Sequence, residues 1–175
     1  LYDHTNPLLN SSEGEIAERI LAELQTAVRY RKVSDVPVGV FLSGGIDSST
    51  NVALFSEESR QPLKTFTIGY DNACRSNPSE APYAKRVSKQ FGAEYHEHVL
   101  TQDDLLNFLP RMVQLQDEPI ADPVCVPVYY VSKLARDNGV IVCQIGEGAD
   151  ELFCGYSSWK RMLTLQQATR GRFGK

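Results

Sequence analysis

Apolar positions along this chain switch repeatedly between two rhythms. Ile16, Ile20, Leu24, Ala27 and Val28 recur at helical spacing and fade near Arg31-Lys32. Ahead of them Ser12-Glu13-Gly14-Glu15 reads as a capping box, in which hydroxyl and carboxylate satisfy each other's orphan amides. Residues 38–42 then form a short unbroken apolar run, the pattern of a strand buried on both faces. It leads into Ser43-Gly44-Gly45, after which 49–58 reads as a helix. The alternation continues with a strand over 64–70, Phe66 and Ile68 on one face, and a helix over 83–91 stopped by Gly92. A third strand covers 94–100, and a helical pattern over 103–115 contains Pro110, which should kink or interrupt it. Residues 117–127 hold three prolines and read as a loop. A helix over 128–136 ends at Asn138-Gly139, a buried strand follows over 140–145, and a last helix covers 150–165.

Strands alternating with helices predict an α/β fold: a parallel sheet with helices on both faces. At 175 residues the chain has room for one domain, expected over 13–175 behind a lead-in linker at 1–12. A hydrophobic fraction of 42% and a charged fraction of 23% are those of a folded globular protein. The net charge of −4 lacks the basic footprint expected of a nucleic-acid binder. No apolar run approaches the roughly 20 residues that cross a bilayer, and without a charged-then-apolar pattern at its start secretion is not expected. Cys74, Cys125, Cys143 and Cys154 make no zinc-ligand rhythm, and Cys143 sits in an apolar run as a buried free thiol. His96 and His98 share one strand face, more simply a half-exposed surface than a metal pair. A reduced, cytoplasmic protein is the expectation.

Two segments carry chemistry. Strand, then Ser43-Gly44-Gly45-Ile46-Asp47-Ser48-Ser49, then helix is a phosphate cradle in composition and position. Its glycines let backbone approach an anion, and the helix start offers free amides in a favourable dipole. The spacing and lysine of the common triphosphate loop are missing. Asp47 beside a phosphate calls for a cation between them, normally Mg²⁺; a serine-capped turn is the bland reading. The second segment, Gly146-Glu147-Gly148-Ala149-Asp150-Glu151, puts three carboxylates at the end of the last strand. Right-handed crossovers leave the first strand central, so the last can return to its other side. Asp47 and Asp150 could then share one Mg²⁺, with helix capping the alternative for each acid.

The pattern Ser43-Gly44-Gly45-Ile46-Asp47-Ser48 resembles the pyrophosphate-binding loop of the ATP pyrophosphatase superfamily. Together with the second segment and Asp117-Glu118-Pro119-Ile120-Ala121-Asp122-Pro123, it resembles the synthetase domain of glutamine-dependent asparagine synthetases over about residues 15–156. The resemblance implies an adenine nucleotide alpha hydrolase-like, Rossmann-like fold. It also implies an ATP-dependent carbon–nitrogen ligase that adenylates the side-chain carboxylate of aspartate, releases pyrophosphate, and uses ammonia to give asparagine and AMP. By the same resemblance Leu42 and Ile68 line an adenine pocket, and Ile145 and Gly146 touch the adenosine half of ATP. Residues Ser43, Gly44, Gly45, Asp47 and Ser48 hold pyrophosphate, and Asp47 and Asp150 ligate Mg²⁺. Glu147, expected to be buried among acids, is the base in amide formation, and Asp47 assists adenylation. The ammonia is expected from a glutaminase domain in the same parent chain, of which this sequence is a fragment. Oligomeric state is left open, a homodimer included. The family usually has serine at Ile145 and glycine at Cys154; the first departure removes a hydrogen bond to the nucleotide and the second implies a packing change. A β-lactam synthetase or sugar-acid amidotransferase fits the same residues, and a non-catalytic nucleotide-binding module is the alternative of another class.

Overall fold

The structure, a computed structural model, describes residues 11–57, 59, 61–71, 79–118, 120 and 122–173. Residues 1–10 of the expected lead-in and Cys74 lie outside them. Among the described residues the elements run α1 (Glu13–Arg31), β1 (Val38–Phe41), α2 (Ile46–Ser56), β2 (Lys64–Tyr70), α3 (Ala81–Gln90), β3 (Glu94–Leu100), α4 (Gln102–Leu115), α5 (Cys125–Asp137), β4 (Val142–Gln144), α6 (Ala149–Phe153) and α7 (Ser157–Phe173). The four strands form one sheet in the order β3-β2-β1-β4, every neighbouring pair parallel. β1 is therefore interior, and β4 returns beside it across from β2.

Helices cover both faces, as the alternation predicted. On one face Val40 and Leu42 pack with Val28 of α1, Val52 and Phe55 of α2 and Ala84 of α3. On the other, Phe66 packs with Val131 and Ala135 of α5 and with Val140. Phe55 and Phe66 are nearly or wholly buried, so truncating either to alanine costs about 3–5 kcal/mol. The buried threonines of β2 are paired: the Thr67 hydroxyl donates to the Leu42 carbonyl at 2.7 Å, and Thr65 and Ser88 share a bond at 3.0 Å.

Helix starts differ from the sequence pattern by capping. The Ser12 box forms as expected, with the Ser12 amide donating to the Glu15 carboxylate at 2.7 Å. A second box between Thr101 and Asp104 opens α4, which runs through Pro110 without a break. α2 starts three residues earlier than predicted, with Gly45 at its N-cap, so Asp47 falls in the first turn. α5 also starts three residues early, and the Asp122 carboxylate accepts from the Val124 amide at 2.9 Å just before it.

Two expectations are corrected. β4 is not buried: Val142 is 41% exposed, since among the described residues β1 is its only strand neighbour. The last helix is two, because Cys154 takes a left-handed conformation (φ 54°, ψ 44°) that ends α6. Glycine is the residue that adopts this without strain, so the departure at Cys154 is a backbone matter more than a packing change.

Candidate functional site

The loop after β1 is held by its own hydroxyls. The Ser43 amide donates to Ser48 Oγ at 3.2 Å, and the two serine hydroxyls bond each other at 3.0 Å. Ser43 Oγ accepts from the Gly45 amide at 3.2 Å, and Ser48 Oγ donates to the Gly45 carbonyl at 3.3 Å. These groups shape the turn before they can serve any ligand. The amides of Ile46, Asp47 and Ser48, in the first turn of α2, have no carbonyl within the helix to receive them. They remain available to an anion, with the positive end of the helix dipole behind them. Gly44 has φ +92°, and a Cβ there would lie 2.7 Å from the Ala84 amide of α3. Backbone on that side leaves no room for any other residue.

The loop after β4 reaches the same place. A Cβ on Gly146 would lie 3.0 Å from the Asp47 carbonyl carbon and 3.1 Å from the Ser48 amide. About a hundred residues apart in sequence, the two turns touch because β4 pairs with β1. Between them opens a cavity of about 650 Å³ lined by Leu42, Ser43, Ser48, Ile68, Ile145, Gly146 and Glu147. Seven of the residues singled out from sequence thus meet at one wall. Gly44, Gly45, Asp47 and Asp150 do not line it: the glycines and Asp47 belong to the adjoining turn, and Asp150 lies in α6.

Glu147 is exposed at the cavity, a correction to the expectation of burial, because β4 is a sheet edge with open space beside its loop. Its neighbours form an acidic group around Tyr156. The Tyr156 hydroxyl donates to the Glu151 carboxylate at 2.6 Å. That bond pushes the phenol up to about 12, desolvation and the charges of Glu151, Asp150 and Glu147 adding to it, and it holds Glu151 below the usual carboxylate range. Glu151 therefore has a structural partner. Asp150 is exposed, and its side chain lies over Gly155.

For a divalent cation the donors are right in kind. Asp47 and Asp150 are hard carboxylates, with no salt bridge to a lysine or arginine among the described residues. Among those residues no three His, Cys, Asp or Glu side chains converge as a cage. Mg²⁺ takes one or two carboxylates and completes its shell with phosphate oxygens and water. His96 and His98 are not a metal pair: His96 stacks on Phe66 (5.2 Å) and His98 on Tyr130 (5.1 Å). Cys143 is half-buried rather than buried, and desolvation raises its thiol to about 11.

Sequence reasoning missed part of the cavity. Tyr70, Ser79 and Glu80 enter it from the β2 side, and Val124, Pro127 and Val128 from the start of α5. Only the period-2 pattern of β2, which ends at Tyr70, pointed toward any of them.

A family model for asparagine synthase matches residues 19–174. Asparagine synthetase [glutamine-hydrolyzing] 1 of Bacillus subtilis (strain 168) is 37% identical over 162 residues, covering 93% of this chain and 25% of that protein. A putative asparagine synthetase [glutamine-hydrolyzing] 2 of Methanocaldococcus jannaschii is 39% identical over 134 residues, covering 76% and 25%. The chain thus spans about a quarter of the length of these curated relatives. Among solved structures, an NH3-dependent NAD synthetase from Campylobacter jejuni aligns with a TM-score of 0.47 at 17% identity, covering 84% of this chain and 62% of that one. No helix among the described residues is long and apolar enough to cross a membrane.

Proposed function

Because the chain belongs to the asparagine synthase family, we propose that it is the ATP-using half of an AMP-forming amide ligase acting on the side-chain carboxylate of aspartate. The observation that carries this reading is the contact of Gly146 with the Asp47–Ser48 backbone, which sets a phosphate-type turn and an acidic turn around one cavity. The apolar stretch of that cavity, Leu42, Phe66 and Ile68, is suited to a purine ring. The free amides of Ile46, Asp47 and Ser48 take the leaving pyrophosphate, and their fixed dipoles stabilise the charge that grows on it. The substrate carboxylate attacks the α-phosphorus, the bond to the β-phosphate oxygen breaks, and the acyl-adenylate forms. Ammonia then adds to the acyl carbon, loses a proton and displaces AMP. Glu147, exposed at the cavity, would receive that proton.

Asp47 and Asp150 would hold Mg²⁺, which when bound offsets repulsion between the entering carboxylate and the polyphosphate. The glutamine-hydrolysing relatives support glutamine as the source of ammonia, from a glutaminase domain of the same polypeptide. A cytoplasmic site suits a biosynthetic role of this kind. Pyrophosphate release by the complete encoded protein tests the assignment: Asp47→Asn is expected to slow it by about 10²-fold or more. Unchanged turnover would remove Asp47 from the mechanism. Glu147→Gln should suppress amide formation while ATP still binds; collapse of ATP affinity would make Glu147 a nucleotide-holding residue instead.

A further inference from the structure

A second cavity, of about 700 Å³, opens between α5 and β4. It shares only Phe41 and Ile145 with the first, and neither Ser43, Ser48 nor Glu147 lines it. One wall is a stripe of α5: Tyr129, Ser132, Lys133 and Arg136 stand at i, i+3, i+4 and i+7, so one helix face presents them together. The other wall is apolar. Ile141, Cys143 and Ile145 alternate along and beside β4, and Phe41 extends that face onto β1. Cys143 serves there as a neutral thiol, since desolvation raises it to about 11.

The charge at this cavity opposes that of the chain. Arg111, Lys133 and Arg136 line it against a single carboxylate, Asp137, in a chain of net charge −4. Lys133 is paired with Asp137 on the next turn of α5. Arg111 and Arg136 have no ion pair among the described residues, so two positive charges are left without an acid. Arg111 reaches in from α4 with its guanidinium 5.4 Å from the centre of the Tyr129 ring, a contact that restricts the side chain before any ligand arrives. Guanidinium donors form a fork that fits phosphate oxygens, and two of them balance the dianion of a phosphate monoester. The apolar wall calls for a ligand with a second part, a body whose contact takes Phe41, Ile141 and Ile145 out of water.

We infer that this cavity is a second binding site, which takes a phosphate monoester with an apolar body, the phosphate held by Arg111 and Arg136 and the body laid on the β4 face. The inference does not rest on the nucleotide reading, because no residue assigned there to the phosphates or to the proton transfer lines this cavity. The arginines supply the choice of anion, and the β4 face supplies the preference for an ester over the free ion.

Calorimetric titration of the complete encoded protein with phenyl phosphate tests the inference, with far-UV circular dichroism as a folding control. Arg111→Gln and Arg136→Gln should each weaken binding by about threefold or more, the scale of one ion pair open to solvent. Arg86→Gln, which removes the same charge from the exposed side of α3 across the sheet, should leave it unchanged. Inorganic phosphate has the charge without the body and benzyl alcohol the body without the charge. Each should bind the arginine-dependent site about tenfold more weakly than phenyl phosphate, or worse. Absence of phenyl phosphate binding overturns the inference, as does an equal loss in Arg86→Gln, which would make the effect one of net charge. Unchanged affinity in either folded arginine variant overturns it as well, placing the phosphate elsewhere, at the turn after β1. Inorganic phosphate binding as tightly as phenyl phosphate would remove the β4 face from the site and refute the ligand class.

Discussion

Replacing Gly146 by alanine tests the contact on which the site depends. The added Cβ would stand 3.0 Å from the Asp47 carbonyl carbon, 3.0 Å from Asn51 Nδ2 and 3.1 Å from the Ser48 amide. Two of those three atoms are backbone, so the loop after β4 must retreat by a few tenths of an ångström. Overpacking of this size costs about 1–3 kcal/mol. The φ of Gly146 lies outside the positive region, so the whole effect is steric. Gly14 is the matched control: it lies in α1, nothing stands within 4 Å of its would-be Cβ, and alanine there should stabilise by about 0.4–1 kcal/mol. Urea unfolding of the two variants should therefore move in opposite directions at similar slope. Pyrophosphate release should fall in Gly146→Ala and stay level in Gly14→Ala. If Gly146→Ala unfolds at the same urea concentration as the parent and turns over normally, the two turns are not in contact and the shared site is wrong.

Two further outcomes are expected. Cys154 is the one non-glycine residue with positive φ among those described, so Cys154→Gly should relieve left-handed strain of about 1 kcal/mol and raise the melting temperature; a lower one would show the thiol is needed for packing. Asp104 is held below the ordinary carboxylate value chiefly by the Thr101 amide, with the Thr101 hydroxyl and His98 (3.4 Å away) adding and burial opposing. A lowered folded value gives stability that is present above the ordinary 3.8 and lost as pH falls through the folded value. The stability gap between the parent and Asp104→Asn should accordingly close on acidification through that range, and a gap constant with pH would rule the ion out as its source.

Much of the fold was legible because local signals agreed with it. β2 and β3 match their predicted bounds, since alternating and apolar runs there are closed by Gly92 and by polar residues. Helix starts slipped where the cap was a backbone or glycine feature: Gly45 caps α2 without any side-chain bond, so no residue type announced it. The break at Cys154 was invisible for the same reason, a left-handed turn taken by a residue that rarely adopts one. The phosphate-type turn could be read from Ser43-Gly44-Gly45 because its chemistry is local. Tyr70, Ser79 and Glu80 could not, since nothing near them in sequence says which cavity they border.

The chain's own order of residues determined the strand–helix alternation, the capping boxes at Ser12 and the turn at Ser43, all set by interactions within a few residues. Only tertiary structure decided that Gly146 lies against Asp47 and Ser48, that Glu147 is exposed, and that Glu80 and Ile68 share a cavity. The first two follow from β4 pairing with β1, a hydrogen-bonded register between segments a hundred residues apart, and β2 pairing with β1 on the other side brings Ile68 to the same cavity. Periodicity fixes which face of an element is apolar; it does not carry the order in which parallel strands lie side by side.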